Sequence, residues 1–429
     1  MFGRRGYSAL LYALSPLIWK RLKRERLPGR PTGERKGHIP DYRTQQTLWV
    51  HAASVGEVMT AAPVIRHLMS DYPAHTVVVS TMTATGAERV ASLFGNGVVH
   101  HFLPIDYPGA MKRFVRRLAP ELLVLAETEL WPNMLYAASE HNVPVVMVNA
   151  RLSDRAFARY CRFRTLTREM LIRVNWIAAK SAEDAKRFRY LGVPPTRISV
   201  AGALKFDVTV SDEQRRRGAA FRHTVGHRPV WIAASTHEGE ERAALEAHAH
   251  LLKATPDALL VLVPRHPARF DEVADYCQNA FPQRNAVVRR SKAPEATITE
   301  ATCVYLGDSM GELLSLYAAS DIAFVGGTLV PVGGHNLLEP AALGVPVLSG
   351  PYLNNLQEVA DVMAAQRARC EVADAAQLGS KLLELFLDEQ ARRQLGDAGL
   401  RVVERNRGAC LLIRDRLRAM VPVDGIIAR

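Results

Sequence analysis

Long apolar runs are missing from this chain. A helix that crosses a membrane needs about 20 consecutive apolar residues, and the apolar stretch near the start, residues 7–19 (YSALLYALSPLIW), has thirteen. It ends in Trp19 and a basic cluster rather than in small residues, so a cleaved signal peptide is excluded as well. Cysteine is sparse. Cys161, Cys277, Cys303, Cys370 and Cys410 are far apart, odd in number and without a CxxC. Disulfide frameworks and zinc ribbons are thereby excluded, and reduced thiols in a cytosolic compartment are expected. No short repeat or low-complexity tract appears. No DxD pair stands in a promising place, and His237, in His237-Glu238-Gly239-Glu240-Glu241, lacks a second histidine four residues on. Metal-independent chemistry is the expectation.

What is present is ordinary in amount and uneven in placement. Hydrophobic residues at 48% and charged residues at 23% suit a soluble globular protein, and 429 residues suit two or three domains. The net charge is +12, yet the first 36 residues hold ten Lys/Arg against Glu25 and Glu34, so +8 of it lies there. The apolar stretch 7–19 is flanked by Arg4 and Arg5 before it, and by Lys20, Arg21, Lys23, Arg24 and Arg26 after it. Residues 1–26 are predicted to be an interfacial anchor. Trp19 would sit at headgroup level and the cations on an anionic membrane surface, each worth about 1 kcal/mol. The alternative is a helix docked on the protein's own surface. No aromatics interleave these cations on a sheet, which argues against nucleic acid as a partner.

Residues 27–45 read as a linker rich in Pro, Gly and charge. From residue 46 the pattern becomes strand, turn, helix. Strands are predicted at 47–53, 75–81, 121–127, 143–149 and 174–180, with an amphipathic helix over 57–72. A polar, Arg-rich break at 212–228 reads as a second linker. The pattern resumes at 229–235, 258–264, 301–307, 321–327 and 345–350, and the remainder is helical. The predicted architecture is therefore α/β: parallel, doubly wound sheets in two Rossmann-like halves, 46–211 and 229–429, facing a cleft.

In such sheets ligands bind beyond the carboxyl ends of strands. After the first strand come Ser54, Val55, Gly56 and Glu57, and the helix dipole is expected to favour the ionised form of Glu57 by about 0.3–1 kcal/mol, keeping it a base. A helix-start glutamate is also a common structural choice. Glu127 and Glu129 stand one residue apart at another strand tip, in Glu127-Thr128-Glu129-Leu130-Trp131-Pro132-Asn133, where stability alone hardly calls for both. Arg151, Arg155, Arg159 and Arg162 form a stripe at helical spacing, either a solvated face or a partner for lipid phosphates. In the second half, Arg265 and His266 end a strand, and a guanidinium there suits a phosphate. Met310, Gly311 and Glu312 precede a short helix, and Lys205 lies near the junction of the halves. Gly326-Gly327 and Gly333-Gly334 lead into His335-Asn336-Leu337-Leu338-Glu339, which is predicted to open a helix ending at Gly344. Glycine turns that feed a helix N-terminus offer unpaired N–H groups to a phosphate, and Glu339 is placed to accept from sugar hydroxyls. Tight turns and a solvated glutamate are the structural alternative, but the two glycine pairs, the His-Asn and the acid together favour a nucleotide-sugar site.

Several stretches together resemble one family. These are His51 to Glu57, Glu127 to Asn133, Asn149-Ala150-Arg151-Leu152-Ser153, Pro264-Arg265-His266-Pro267 and Gly333 to Glu339. They are similar to the 3-deoxy-D-manno-oct-2-ulosonic acid (Kdo) transferases of lipopolysaccharide synthesis, in register from the N-terminal segment to about residue 400. The resemblance implies a GT-B glycosyltransferase fold and CMP-Kdo as donor. It also implies a lipid A precursor (lipid IVA) as acceptor, met at the cytoplasmic face of a bacterial inner membrane. It puts the general base on Glu57 and transition-state stabilisation on Lys205 and on Glu127 or Glu129, with Glu127 preferred because it caps the strand. CMP contacts fall on Arg265, His266, Met310, Gly311, Glu312, Asn336, Leu337, Leu338 and Glu339. No cofactor is implied beyond the donor. A nucleotide-sugar epimerase would share the two-domain cleft but would have no use for a basic anchor.

Overall fold

The computed structural model describes residues 3–22, 25, 27–293 and 298–422. Lys23, Arg24 and Arg26 of the basic cluster and residues 423–429 lie outside that set. The chain divides into two compact units, Met1–Asp207 with Arg407–Arg429, and Val208–Asn406.

The first unit is built on seven parallel strands: β1 (Thr47–His51), β2 (Thr76–Thr81), β3 (Val99–Phe102), β4 (Leu122–Ala126), β5 (Val145–Ala150), β6 (Trp176–Ala179) and β7 (Ile198–Val200). Their order is β3-β2-β1-β4-β5-β6-β7. β1 (TLWVH), β4 (LLVLA) and β5 (VVMVNA) are buried at every residue, as largely apolar strands covered on both faces should be. Alternate side chains serve opposite layers. Trp49, Leu123 and Met147 pack with Phe114, Leu118 and Met134, whereas Leu48, Val124 and Val146 pack with Val58, Ala61, Ile65 and Leu68 of the helix Val55–Asp71.

The N-terminal segment is two helices, Arg4–Ala13 and Ser15–Leu22, and among the described residues no helix is long and apolar enough to cross a membrane. The first is docked on its own unit by its polar face. The Arg4 backbone N–H donates to Glu169 at 2.9 Å, and the Arg4 guanidinium donates to Asn133 at 3.1 Å and stacks over Tyr136. Ser8 is buried against Asn133, and Tyr12 stacks on Tyr107. Trp19 does not project as an interfacial residue would. It is half-buried and lines a small cavity with Leu22, Leu27 and Phe102. Leu10 in the first helix, Leu14 between the two and Leu17 in the second are exposed by 50%, 42% and 65%.

The second unit also has seven parallel strands: β8 (Val230–Thr236), β9 (Leu259–Pro264), β10 (Val287–Arg289), β11 (Val304–Leu306), β12 (Ile322–Val325), β13 (Val347–Ser349) and β14 (Cys370–Glu371). They run in the order β10-β11-β9-β8-β12-β13-β14.

Two boundaries drawn from sequence need correction. Residues 212–225, read as linker, form the helix Asp212–Val225 of the second unit, started by a capping box between Ser211 and Gln214. Its signal is weak because the helix packs through Gly218, where a Cβ would stand 2.6 Å from the Cβ of Ala318. The helix Ala409–Met420, assigned to the second half, belongs to the first unit. Ala409, Cys410, Ile413 and Leu417 join the layer of Ile65 and Leu68, and Asp71 accepts from Arg414 and Arg418 at 2.7 and 2.9 Å.

Candidate active site and donor pocket

In the first unit the candidate residues gather at the carboxyl ends of the adjacent strands β1, β4 and β5. Glu57 lies in the first turn of its helix, and its side chain reaches back to the strand end. It accepts the Ala53 N–H at 2.6 Å and the Ser54 hydroxyl at 3.0 Å. At the end of β4 the backbone turns left-handed at Glu127 (φ 59°), an uncommon conformation for a side-chain-bearing residue and one that recurs at functional strand tips. Two residues on, Glu129 accepts from the Trp131 indole at 2.8 Å and lies 3.8 Å from Nε2 of buried His51. His51 is fixed by Ser80 on its other nitrogen, and Nε2 has no hydrogen-bond partner among the described residues. Asn149, also left-handed and the last residue but one of β5, accepts the Leu204 N–H at 3.3 Å. It thereby positions the turn Leu204–Phe206, from which Lys205 projects, exposed, beside the Glu57 helix.

These surroundings pull the two carboxyls apart. Burial and then the charge of Glu129 raise Glu57 to about 7, against hydrogen bonds from Ala53 and Ser54 and the charge of His51. The helix dipole therefore does not set its state: burial and a like charge outweigh the small stabilisation expected from the helix start. Burial would raise Glu129 too, but His51 and Trp131 more than offset it and hold the group below its ordinary value. A pair of carboxyls so separated is suited to one proton-taking group and one standing anion. The coupling is to Glu129, whereas Glu127 does not figure among the groups acting on Glu57. His51, Trp131 and Asn149 were part of the sequence motifs without a role. A histidine at the end of a buried strand was the available signal for the first.

In the second unit the candidates sit at the ends of β11, β9, β8 and β12, four neighbours in the sheet. Arg265 follows β9, its N–H bound to Thr236 at 3.0 Å, and its charge acts on His237, His335 and Glu339. Among the described residues no carboxylate lies within ion-pair distance of it, unlike Arg269, which pairs with Glu241 at 2.7 Å and Glu272 at 3.2 Å. His266 is exposed beside it. Asn336 caps the next turn by accepting the Leu338 N–H at 3.1 Å and donates to Glu339 at 3.2 Å; burial raises the Glu339 carboxyl, with Asn336 and Arg265 opposing. Leu337 and Leu338 are buried and anchor this turn. Residues 310–312 form a loop after β11. There Glu312 is already held by Arg290, twice at 3.0 Å, and by Ser309, leaving Met310 exposed and Gly311 at φ 85°. Adjacency of strands, not a direct contact, relates that loop to Arg265.

The expected phosphate cradle is filled from within. The N–H groups of Gly327, Thr328 and Leu329 all donate to buried Glu240, at 2.6, 2.9 and 2.9 Å. The helix that follows spans only Leu338–Ala341. Gly333 and Gly334 do adopt left-handed backbone, at φ 101° and 88°. Among the described residues no group of three or more His, Cys, Asp or Glu is arranged to hold a metal ion.

Residues 30–208 match the family model of the 3-deoxy-D-manno-octulosonic-acid transferases (kdotransferases), and residues 242–402 that of the glycosyl transferases group 1. A 3-deoxy-D-manno-octulosonic acid transferase of Haemophilus influenzae is 41% identical over 375 residues, covering 87% of each chain. One from Bordetella pertussis is 37% identical over 91% of this chain and 93% of its own. Among solved structures, a UDP-GlcNAc 2-epimerase from Neisseria meningitidis covers 87% of this chain and all of its own with a TM-score of 0.53. At 15% identity it shares the fold alone. With that identity to the two transferases over nearly their whole length, and with the site motifs at the strand ends, the chain belongs to the 3-deoxy-D-manno-octulosonic acid transferase family of glycosyltransferases.

Proposed function

We propose that this chain moves Kdo from CMP-Kdo to a hydroxyl of a lipid A precursor (lipid IVA), inverting the anomeric carbon, with Glu57 as general base. The observation that carries this is the Glu57 carboxyl itself, held by Ala53 and Ser54 and raised to about 7, where a base both takes and gives up a proton in neutral solution. Glu57 removes the hydroxyl proton as that oxygen bonds to the anomeric carbon. The bond from that carbon to the CMP phosphate breaks, and its electron pair leaves with the phosphate. Positive charge gathers on the sugar during such a transfer. Glu129, with Glu127 two residues before it, supplies the answering negative charge, and Lys205 is assigned to charge stabilisation. Arg265 and His266 hold the CMP phosphate, and Asn336, Leu337, Leu338 and Glu339 hold the nucleoside. The loop of Met310, Gly311 and Glu312 borders it. With a guanidinium as counter-charge, this chemistry needs no metal.

The acceptor is a lipid, and the N-terminal helices suit its setting. Exposed Leu10, Leu14 and Leu17 lie near Arg5, Lys20 and Arg21, an arrangement for resting on an anionic surface, here assigned to the cytoplasmic face of the inner membrane. Glu57→Gln tests the central role. Turnover of CMP-Kdo with lipid acceptor should fall by roughly 10²–10⁴ while CMP affinity and melting temperature stay unchanged. Near-normal turnover would remove Glu57 as the base.

A further inference from the structure

The donor half contains a pair of histidines that the chemistry above does not use. His237, just past β8, and His335, ahead of Asn336, meet Nε2 to Nε2 at 2.8 Å. Their ring planes differ by 5° and the centroids are 5.1 Å apart. A centroid separation longer than the N···N distance by only two ring radii means that the rings lie edge to edge in one plane. They share a hydrogen bond rather than a stacking contact. One ring then supplies the N–H and the other the lone pair. A single extra proton, on the far nitrogen of the donating ring, leaves that bond intact. A second would set two N–H groups against each other across 2.8 Å.

The pair therefore has room for one proton, and its neighbours decide when the proton is present. His266 stands edge-on to His237 with centroids 5.1 Å apart, and Arg265 and Arg269 also face it. Arg265 and His266 face His335 as well. The nearby acids are otherwise engaged. Glu240 receives four backbone N–H groups, including that of His237 at 3.0 Å, Glu241 is paired with Arg269, and Glu339 is bound by Asn336. Burial first, and then these cations, hold both imidazoles below their ordinary range, His335 at about 4, with the charge of Glu240 opposing at His237. An anion set among the cations cancels their part and favours the protonated pair.

We propose that the His237–His335 pair is a proton-accepting element of the donor site, taking one proton from solvent when the nucleotide phosphate binds beside Arg265. The inference rests on the donor reading above. Binding and protonation are then linked, so CMP affinity should fall with rising pH by up to tenfold per unit.

Calorimetric titration of the full chain with CMP at pH 7.5, in buffers of different ionisation enthalpy, measures the proton directly. Net proton uptake on CMP binding is expected, growing as the pH is lowered toward 7, with none for cytidine, which lacks the phosphate. His335→Gln and, as a second variant, His237→Gln should still bind CMP, several-fold more weakly near pH 7, and without uptake. CMP binding without proton exchange would overturn the inference and leave the donor site standing, as would uptake that persists in both folded variants. Absence of CMP binding by the unaltered protein would overturn the donor site itself.

Discussion

Glu57 and Glu129 show how far two like side chains can diverge when their neighbours differ. Glu57 must lose its proton to act, so kcat/KM should rise with pH along a limb near 7. Replacing Glu129 with Gln removes the negative charge that resists ionisation of Glu57. The limb should therefore move to lower pH, even if the maximal rate also falls. A pH–rate profile between pH 5.5 and 9 for both proteins decides this, and an unmoved limb would uncouple the two groups. The sequence brought Glu57, Glu127 and Glu129 to strand ends, because loop position follows from strand and helix periodicity. It did not say which acid faces Glu57, since that depends on the left-handed turn at Glu127. Nor did it show that Glu240 fills the turn at Gly327, because the filling carboxylate comes from another strand end 87 residues away in sequence. Local spacing locates a glycine turn but does not identify what occupies its N–H groups.

Helices and strands were readable in proportion to how much apolar surface each buries through its own side chains. β4 (LLVLA) and β5 (VVMVNA) announce themselves as buried apolar runs, but β3 (VHHF) carries two histidines and β7, β10 and β14 have three residues or fewer. The helix Asp212–Val225 was missed because it is polar and Arg-rich over most of its length and makes a close contact through a glycine. The N-terminal helix was half read. Its polar side docks through Arg4 and Ser8, and the proposed membrane contact falls to exposed Leu10, Leu14 and Leu17, spread over this helix and the next. Burying a leucine side chain is worth about 1.5–3 kcal/mol, so three of them dominate any salt-screened attraction. Replacing all three with serine should leave the melting temperature unchanged and abolish flotation with anionic vesicles at high salt, where Coulomb attraction is screened. Unimpaired flotation would shift attention to the exposed Arg155, Arg159 and Arg162 of the helix Asp154–Arg162.

For the chain as a whole, the doubly wound pattern was evident and the path of the chain was not. Nothing in the sequence of the helix Ala409–Met420 says which sheet it covers, since Ile413 and Leu417 suit any apolar layer. The structure puts both in the first unit, fully enclosed. Ile413→Ala should destabilise that unit by about 2–5 kcal/mol, whereas Leu411→Ala, at an exposed position of the same helix, should stay within about 0.5 kcal/mol. Urea unfolding followed by tryptophan fluorescence measures both, and equal effects would contradict the placement. The return of this helix also sets a timetable for synthesis. When Asp207 has emerged from the ribosome, the seven strands of the first unit are complete, but the groove along Val64, Leu68 and Tyr72 still lacks its cover. Residues 208–406 must be made first, which takes about 10–40 s at 5–20 residues per second. Throughout that interval the nascent unit carries an open apolar groove, the kind of surface that chaperones bind and that a neighbouring nascent chain can invade.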